Sequence, residues 1–168
     1  MFEINDYIVY GNMNVCKVID ICTPKGVSGD KKYYKLQPIY EHGSIIYTPV
    51  NNDKVIMRKV ITREEAEKII DSIPFIDIMK SDMEDKLMEE EYKKAIKTND
   101  SKEWIKVIKT LYIKSQERKN NGKKPEKIVV NYLKLAEKLF NGELAISLGM
   151  PIDMVENYII EKIENIAK

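Results

Sequence analysis

The sequence predicts an α+β protein, in which a small, strongly bent β-barrel (residues 1–60) precedes an all-α helical domain (residues 61–168). Three observations predict it. Five short runs rich in β-branched and aromatic residues, separated by turn residues, occupy the N-terminal part. Beyond Thr62 the apolar residues recur at three- and four-residue spacing. At the change of pattern, Thr62-Arg63-Glu64-Glu65 has the form of a capping box, in which Thr and Glu side chains satisfy each other's backbone N–H groups at a helix start.

The first run is Tyr7-Ile8-Val9-Tyr10, closed by Gly11-Asn12, and the second is Val15–Cys22. A loop with Pro24, Gly26, Ser28, Gly29 and Asp30 follows, then a third run over residues 32–39. The turn Glu41-His42-Gly43-Ser44 leads into residues 45–50, and residues 55–60 complete the set. Five short strands with tight turns suggest a small barrel. The first helix carries Ala66, Ile69, Ile70 and Ile73, and Pro74 stops it. A second apolar stripe runs through Leu87, Met88, Tyr92, Ala95 and Ile96. Asp100 or Ser101 caps a third helix, with Trp104 placed in the core beside Ile108 and Leu111. Asn120-Asn121-Gly122 breaks the chain, and Pro125 is expected at the first helical position of a fourth helix, with Val129, Ala136 and Phe140 inward. Residues 142–148 either continue it or add another. A last helix covers Ile152–Ile166.

The 168 residues and 19.6 kDa allow one ordinary domain or two small ones. With 43% hydrophobic and 33% charged residues the composition is that of a globular protein. No apolar run reaches the roughly 20 residues of a membrane span, so no membrane association is expected. The acidic N-terminus lacks the features of a secretion signal, which points to the cytoplasm. Cys16 and Cys22 read as ordinary strand residues, and with His42 they cannot form a four-ligand zinc site without carboxylates. Glu89-Glu90-Glu91 could hold a hard cation only in part, because successive helix residues diverge; a solvated face is the plainer reading. There is one histidine and no nucleophile elbow, zinc-protease helix, phosphate loop or dinucleotide fingerprint. A non-enzymatic binding protein without metal or cofactor is therefore expected. Its charge is near balance at +1 but polarised. Residues 102–138 hold eleven Lys/Arg against four acids, whereas residues 82–91 hold one Lys against six. Such polarity suits a polyanion-binding surface beside a repelling one, or two solvated helix faces.

The ordered set Phe2-Glu3-Ile4-Asn5-Asp6-Tyr7-Ile8-Val9-Tyr10, Val15 to Ile21, Tyr33-Tyr34-Lys35-Leu36, Ile45-Ile46-Tyr47-Thr48-Pro49-Val50 and Met57-Arg58-Lys59-Val60-Ile61 resembles the CarD/CdnL family of bacterial transcription regulators. That family shares its N-terminal module with transcription-repair coupling factors. Ile108-Lys109-Thr110-Leu111-Tyr112, Gln116-Glu117-Arg118, Glu126-Lys127, Ala136-Glu137, Leu139 and Gly142-Glu143-Leu144-Ala145 are similar to the family's helical domain in the same order. The chain is too short for a coupling factor's helicase, which points to the stand-alone regulators.

The resemblance implies a Tudor/SH3-like barrel that binds the RNA polymerase β-subunit, partly through an exposed strand. By position the strand is residues 44–50, with Ile45, Tyr47 and Pro49 as candidate contacts and Lys25 in the loop beside it. Tyr47 stands where relatives present a basic or polar contact. The plainer alternative for Ile45, Pro49 and Val50 is barrel core. The resemblance also implies that the helical domain touches promoter DNA near the upstream edge of the transcription bubble. Known members place a wedge tryptophan there, but the matching stretch here, Met83-Glu84-Asp85-Lys86-Leu87-Met88, has none. Met83, Leu87 and Met88 are the apolar residues left, with internal packing the alternative for Leu87 and Met88. Lys114, Arg118, Lys119, Lys123, Lys124 and Lys127 are the candidate DNA contacts, aimed at phosphates and so with little sequence specificity. Open-complex stability at promoters is the expected target. A protein–protein adaptor, whose helical domain binds a protein instead of DNA, is the rival reading.

Overall fold

The structure is a computed structural model that describes residues 1–80 and 82–168. The chain divides into two compact units, Met1–Val60 and Ile61–Lys168.

The first unit is a five-stranded antiparallel sheet: β1 (Tyr7–Tyr10), β2 (Val15–Cys22), β3 (Tyr33–Pro38), β4 (Ile46–Pro49) and β5 (Met57–Lys59). The strand order is β4-β3-β2-β1-β5, so the last strand returns to pair beside the first and, with β4, forms an edge of the sheet. A register shift between Val18 and Asp20 inserts a bulge in β2 and bends the sheet where it faces Leu36 and Lys35. Alternation then delivers Ile8, Cys16, Val18, Tyr34 and Leu36 to one buried cluster. Phe2 closes it, with its ring 5.5 Å from that of Tyr34 and its N–H donating to the Tyr34 hydroxyl at 3.0 Å.

The second unit holds α1 (Arg63–Ser72), α2 (Asp85–Lys97), α3 (Ser101–Asn120), α4 (Lys127–Leu148) and α5 (Ile152–Ile166). The Thr62 capping box is present in both directions, with Glu65 N–H donating to Thr62 Oγ1 at 3.2 Å and Thr62 N–H to Glu65 Oε2 at 2.7 Å. Pro74 ends α1 in a 3₁₀ turn, and Asp100 caps α3 by accepting from Lys102 N–H at 2.8 Å. Residues 142–148 continue α4 without a break. Two expectations fail. Pro125 lies ahead of the N-cap residue Glu126 instead of inside the first turn, because the chain after Gly122 needs further extended residues to reach α4. Leu87 stays half exposed, since α2 turns the neighbouring Met88 inward.

The core of this unit joins Met88, Tyr92 and Ala95 of α2 to Val107 and Leu111 of α3 and Val129 and Ala136 of α4. Trp104 is fully buried, and its indole N–H donates to the Ile96 carbonyl at 3.2 Å. Glu143, also fully buried, reaches from α4 to two other elements. One carboxylate oxygen accepts from Ile61 N–H at 3.1 Å and the other from the Ser101 hydroxyl at 3.0 Å. Ser147, one turn on, donates to the Ile61 carbonyl at 2.8 Å. At α5, Tyr158 donates to Glu67 at 2.6 Å, while Lys162 pairs with Glu67 and, at 3.1 Å, with Asp71, tying α5 to α1.

Two consequences can be measured. Glu143→Ala leaves the Ile61 N–H and Ser101 hydroxyl without these acceptors, and should lower unfolding stability by roughly 3 kcal/mol in urea titrations. Glu67 is held below its ordinary value of 4.5, first by hydrogen bonding from Lys162 and then from Tyr158. A depressed folded-state pKa contributes stability that is present above the unfolded value and lost as pH falls through the folded one. Thermal scans from about pH 6 to about pH 3 should show a loss of about 1 kcal/mol at this partly solvated network, absent in Glu67→Gln.

Candidate polymerase-docking strand and basic loop

β4 is an edge strand, paired with β3 alone in the sheet order. Its register sets Tyr47 opposite Lys35 and Pro49 opposite Tyr33. Thr48 is buried and Ile46 half-buried, so alternation sends Tyr47 outward, 47% exposed. Ile45, at 43%, and Pro49 are exposed on the same alternation. The barrel-core alternative therefore fails for Ile45 and Pro49, and holds in part for Val50, which is half-buried against the barrel cluster. Its physical reason is the short strand: Ile45 precedes the pairing with β3, and Pro49 falls on the face opposite Thr48.

The turn after β4 is closed by Asn52, whose N–H donates to the Pro49 carbonyl at 3.0 Å and whose side-chain amide donates to Thr48 at 2.8 Å. Lys25 is exposed in the loop between β2 and β3. That loop begins beyond the Cys22–Tyr33 pair, and Val50 N–H donates to the Lys32 carbonyl at 3.0 Å, so the loop's base lies at the Pro49 end of β4. Cys16 is buried, and burial, helped by Glu41, pushes its thiol up to about 12, leaving it unreactive at neutral pH.

In the helical unit, α3 ends in a Schellman turn. Gly122 N–H donates to the Lys119 carbonyl at 3.0 Å, and Lys123 N–H to the Arg118 carbonyl at 2.8 Å. Gly122 takes φ +69°, a left-handed conformation that glycine adopts without a Cβ clash. Beyond it the chain runs to α4 with Lys123, Lys124 and Lys127 exposed, as is Lys119 on the last turn of α3. Lys114 and Arg118 are half-buried and differently engaged. Lys114 Nζ sits 5.9 Å from the centroid of the Tyr92 ring. Arg118 donates through Nε to the Lys124 carbonyl at 2.8 Å and through Nη1 to Glu126 at 3.4 Å, clamping the loop across its mouth. Both line a cavity of about 240 Å³ with three acids, Asp85, Glu117 and Glu126. The acidic start of α2 thus stands beside the basic turn. Glu126 at the N-cap also places a carboxylate at the start of α4.

Met83 and Leu87, near the start of α2, are each about half exposed, whereas Met88 is buried and unavailable as a wedge. Glu89 is engaged by Tyr132 at 3.2 Å and Lys93 at 3.2 Å, and Glu91 by Lys94 at 3.2 Å, so these acids pair with neighbours along the helices. Sequence reasoning missed Glu143 and Lys109, whose ammonium donates to the carbonyls of Ile73 and Ile76. Nothing local marks these side-chain roles, because Ile61 and Ser101 for Glu143, and Ile73 and Ile76 for Lys109, are more than 30 positions away. Among the described residues, no helix is long and apolar enough to cross a membrane.

Residues 2–61 match the family model of the CarD-like/TRCF RID domain. The N-terminal unit is a CarD-like domain. This is an RNA polymerase-interaction domain, and it gives the chain a transcription-related role. No curated protein matches the sequence.

The clamp made by Arg118 can be tested directly. Arg118→Ala should leave the Schellman bonds in place but raise amide exchange across residues 123–127 by about tenfold, at a cost of about 1 kcal/mol in global stability.

Proposed function

We propose that this chain is a non-enzymatic, cytoplasmic bacterial transcription factor that anchors on the RNA polymerase β-subunit through the outer face of β4. Its helical domain then holds promoter DNA near the upstream fork. The observation that carries this reading is the edge strand of the CarD-like domain, with Ile45, Tyr47 and Pro49 presented outward in register. A sheet edge with an apolar and aromatic row suits strand addition by a β-rich partner. Lys25, at the Pro49 end, adds a cation to the rim.

On DNA, Lys119, Lys123, Lys124 and Lys127 are the contacts best supplied for phosphates, since they are exposed around one turn. Lys114 and Arg118 contribute from behind, through the field of the loop and its rigidity. Met83 and Leu87 are the remaining apolar side chains for an opened base step. Polymerase anchoring raises the local concentration of a weak DNA binder, so modest intrinsic affinity suffices. A factor of this kind changes open-complex stability only by its differential affinity for the closed and open states.

The acids of the 240 Å³ cavity favour a second reading, in which the helical domain binds a protein and not DNA. One set of experiments separates the two. Tyr47→Glu should weaken capture of purified β-subunit lobe at least tenfold, roughly 1.4 kcal/mol or more, with an unchanged circular dichroism spectrum. Capture equal to wild type sinks the anchor. Lys123→Glu with Lys124→Glu and Lys127→Glu should cut the salt dependence of promoter binding by nearly three counterions. An unchanged salt slope favours the protein-binding reading.

A further inference from the structure

A groove of about 430 Å³ opens in the helical unit, apart from the basic turn. α3 supplies Ile105, Ile108 and Tyr112 to its wall, and α5 supplies Ile159, Ile160 and Ile163. Phe140 of α4 lines it as well. This apolar surface is not fully packed away: Tyr112 is 55% and Ile160 46% exposed. Two carboxylates, Glu137 of α4 and Glu156 of α5, share the lining. Glu137 is held above its ordinary range, first by burial and then by the like charge of Glu156. Among the described residues lining the groove, Lys109 is the one cation, its ammonium turned onto the carbonyls of Ile73 and Ile76, while Lys134 and Lys138 line the adjoining pocket on the outer side of Glu137 and Glu156.

The groove combines an apolar body with an acidic pair that gains from a neighbouring positive charge. Its size lies in the range of small-molecule sites, which are mostly apolar with a few convergent polar groups. Its length also argues against a docked helix. The α5 wall from Glu156 to Ile163 spans about 10 Å at 1.5 Å per residue, about two turns, which is short for the three or four anchors of helix-in-groove recognition. We propose that this groove binds a small organic ammonium compound with an apolar tail, the tail lying among the isoleucines and the ammonium beside Glu137 and Glu156. A charged head and a buried tail use both features at once, whereas a fatty acid would set its carboxylate against two others. Such a ligand bridges α3, α4 and α5, so it stabilises the helical unit by mass action.

The test uses the full chain labelled at isoleucine methyls and titrated with octylammonium, octanol and octanoate. Octylammonium should give saturable shifts at Ile108, Ile159 and Ile163 with none at Ile8 or Ile46, and should bind about tenfold more tightly than octanoate. Glu156→Gln, at an exposed position, should weaken octylammonium roughly fivefold and leave octanol unchanged. Ile160→Asp should abolish the tail-dependent shifts of all three probes. Equal binding of octanoate and octylammonium overturns the proposal, as does an absence of saturable shifts in the wild type. Saturable shifts by a basic amphipathic peptide but not by octylammonium would also overturn it, in favour of a protein partner. None of these outcomes depends on polymerase or promoter binding, which are read separately by the β-lobe and salt-slope experiments.

Discussion

Glu143 brings a carboxylate into the interior of the helical domain, where an isolated charge would cost several kcal/mol. The cost is offset because its two oxygens accept from different elements, Ile61 N–H at the entry to α1 and the Ser101 hydroxyl at the start of α3. Ser147 completes the hold on Ile61 by donating to its carbonyl. A residue leading into a helix needs partners for both its N–H and its C=O, and here α4 provides both from successive turns. α4 is thereby the mast against which the first and third helices are set. The apolar cluster of Val107, Leu111, Val129 and Ala136 then packs along it. Because α3 is fixed at its first residue, its far end, the Schellman turn and the lysines beyond, is also fixed in direction.

That rigidity gives meaning to the charge pattern. The chain is nearly neutral, yet its basic turn and the acidic start of α2 are neighbours within one domain. Arg118 spends its guanidinium on Lys124 and Glu126, which removes it from the list of freely presented cations but fixes the loop that carries the others. The exposed lysines surround the turn, and Asp85, Glu117 and Glu126, exposed as well, line the cavity beside it. A polyanion drawn to the lysines would meet the charge of these carboxylates close by.

What was legible in the sequence is what local chemistry decides. Tyr7–Tyr10 and Val15–Cys22 follow from β-branched residues bounded by turn formers, the start of α1 from its capping box, and α3 from Asp100. Trp104 reads as core because its apolar neighbours share its helical face. The features that escaped depend on distance or on small changes of phase. Pro125 falls outside α4 because the turn at Gly122 consumes more chain than a minimal loop. Leu87 and Met88 are adjacent, and periodicity alone cannot choose which one the first turn of α2 buries. The fate of Ile45 and Pro49 hangs on where pairing with β3 begins. The roles of Glu143 and Arg118 depend on which backbone groups need a partner, which is known only once the chain is folded.

The candidate anchor carries a constraint of its own. Exposed sheet edges invite unwanted pairing, and proteins blunt them with short strands, charges or proline. β4 is four residues long and ends in Pro49, which has no N–H to offer. Alternate residues already pair with β3, so at most about two backbone donors remain for an added strand. Two such bonds add little net affinity against the cost of association. Side chains must therefore carry recognition, and the outward row supplies them: Ile45, Tyr47 and Pro49 span roughly 13 Å at the rise of an extended chain. Tyr47 lies at the centre of that row, where a large amphipathic ring surrounded by contacts that exclude water contributes most. An edge too short to recruit strands promiscuously, yet carrying an aromatic at its middle, selects for a partner with a complementary pocket over one with merely an open edge.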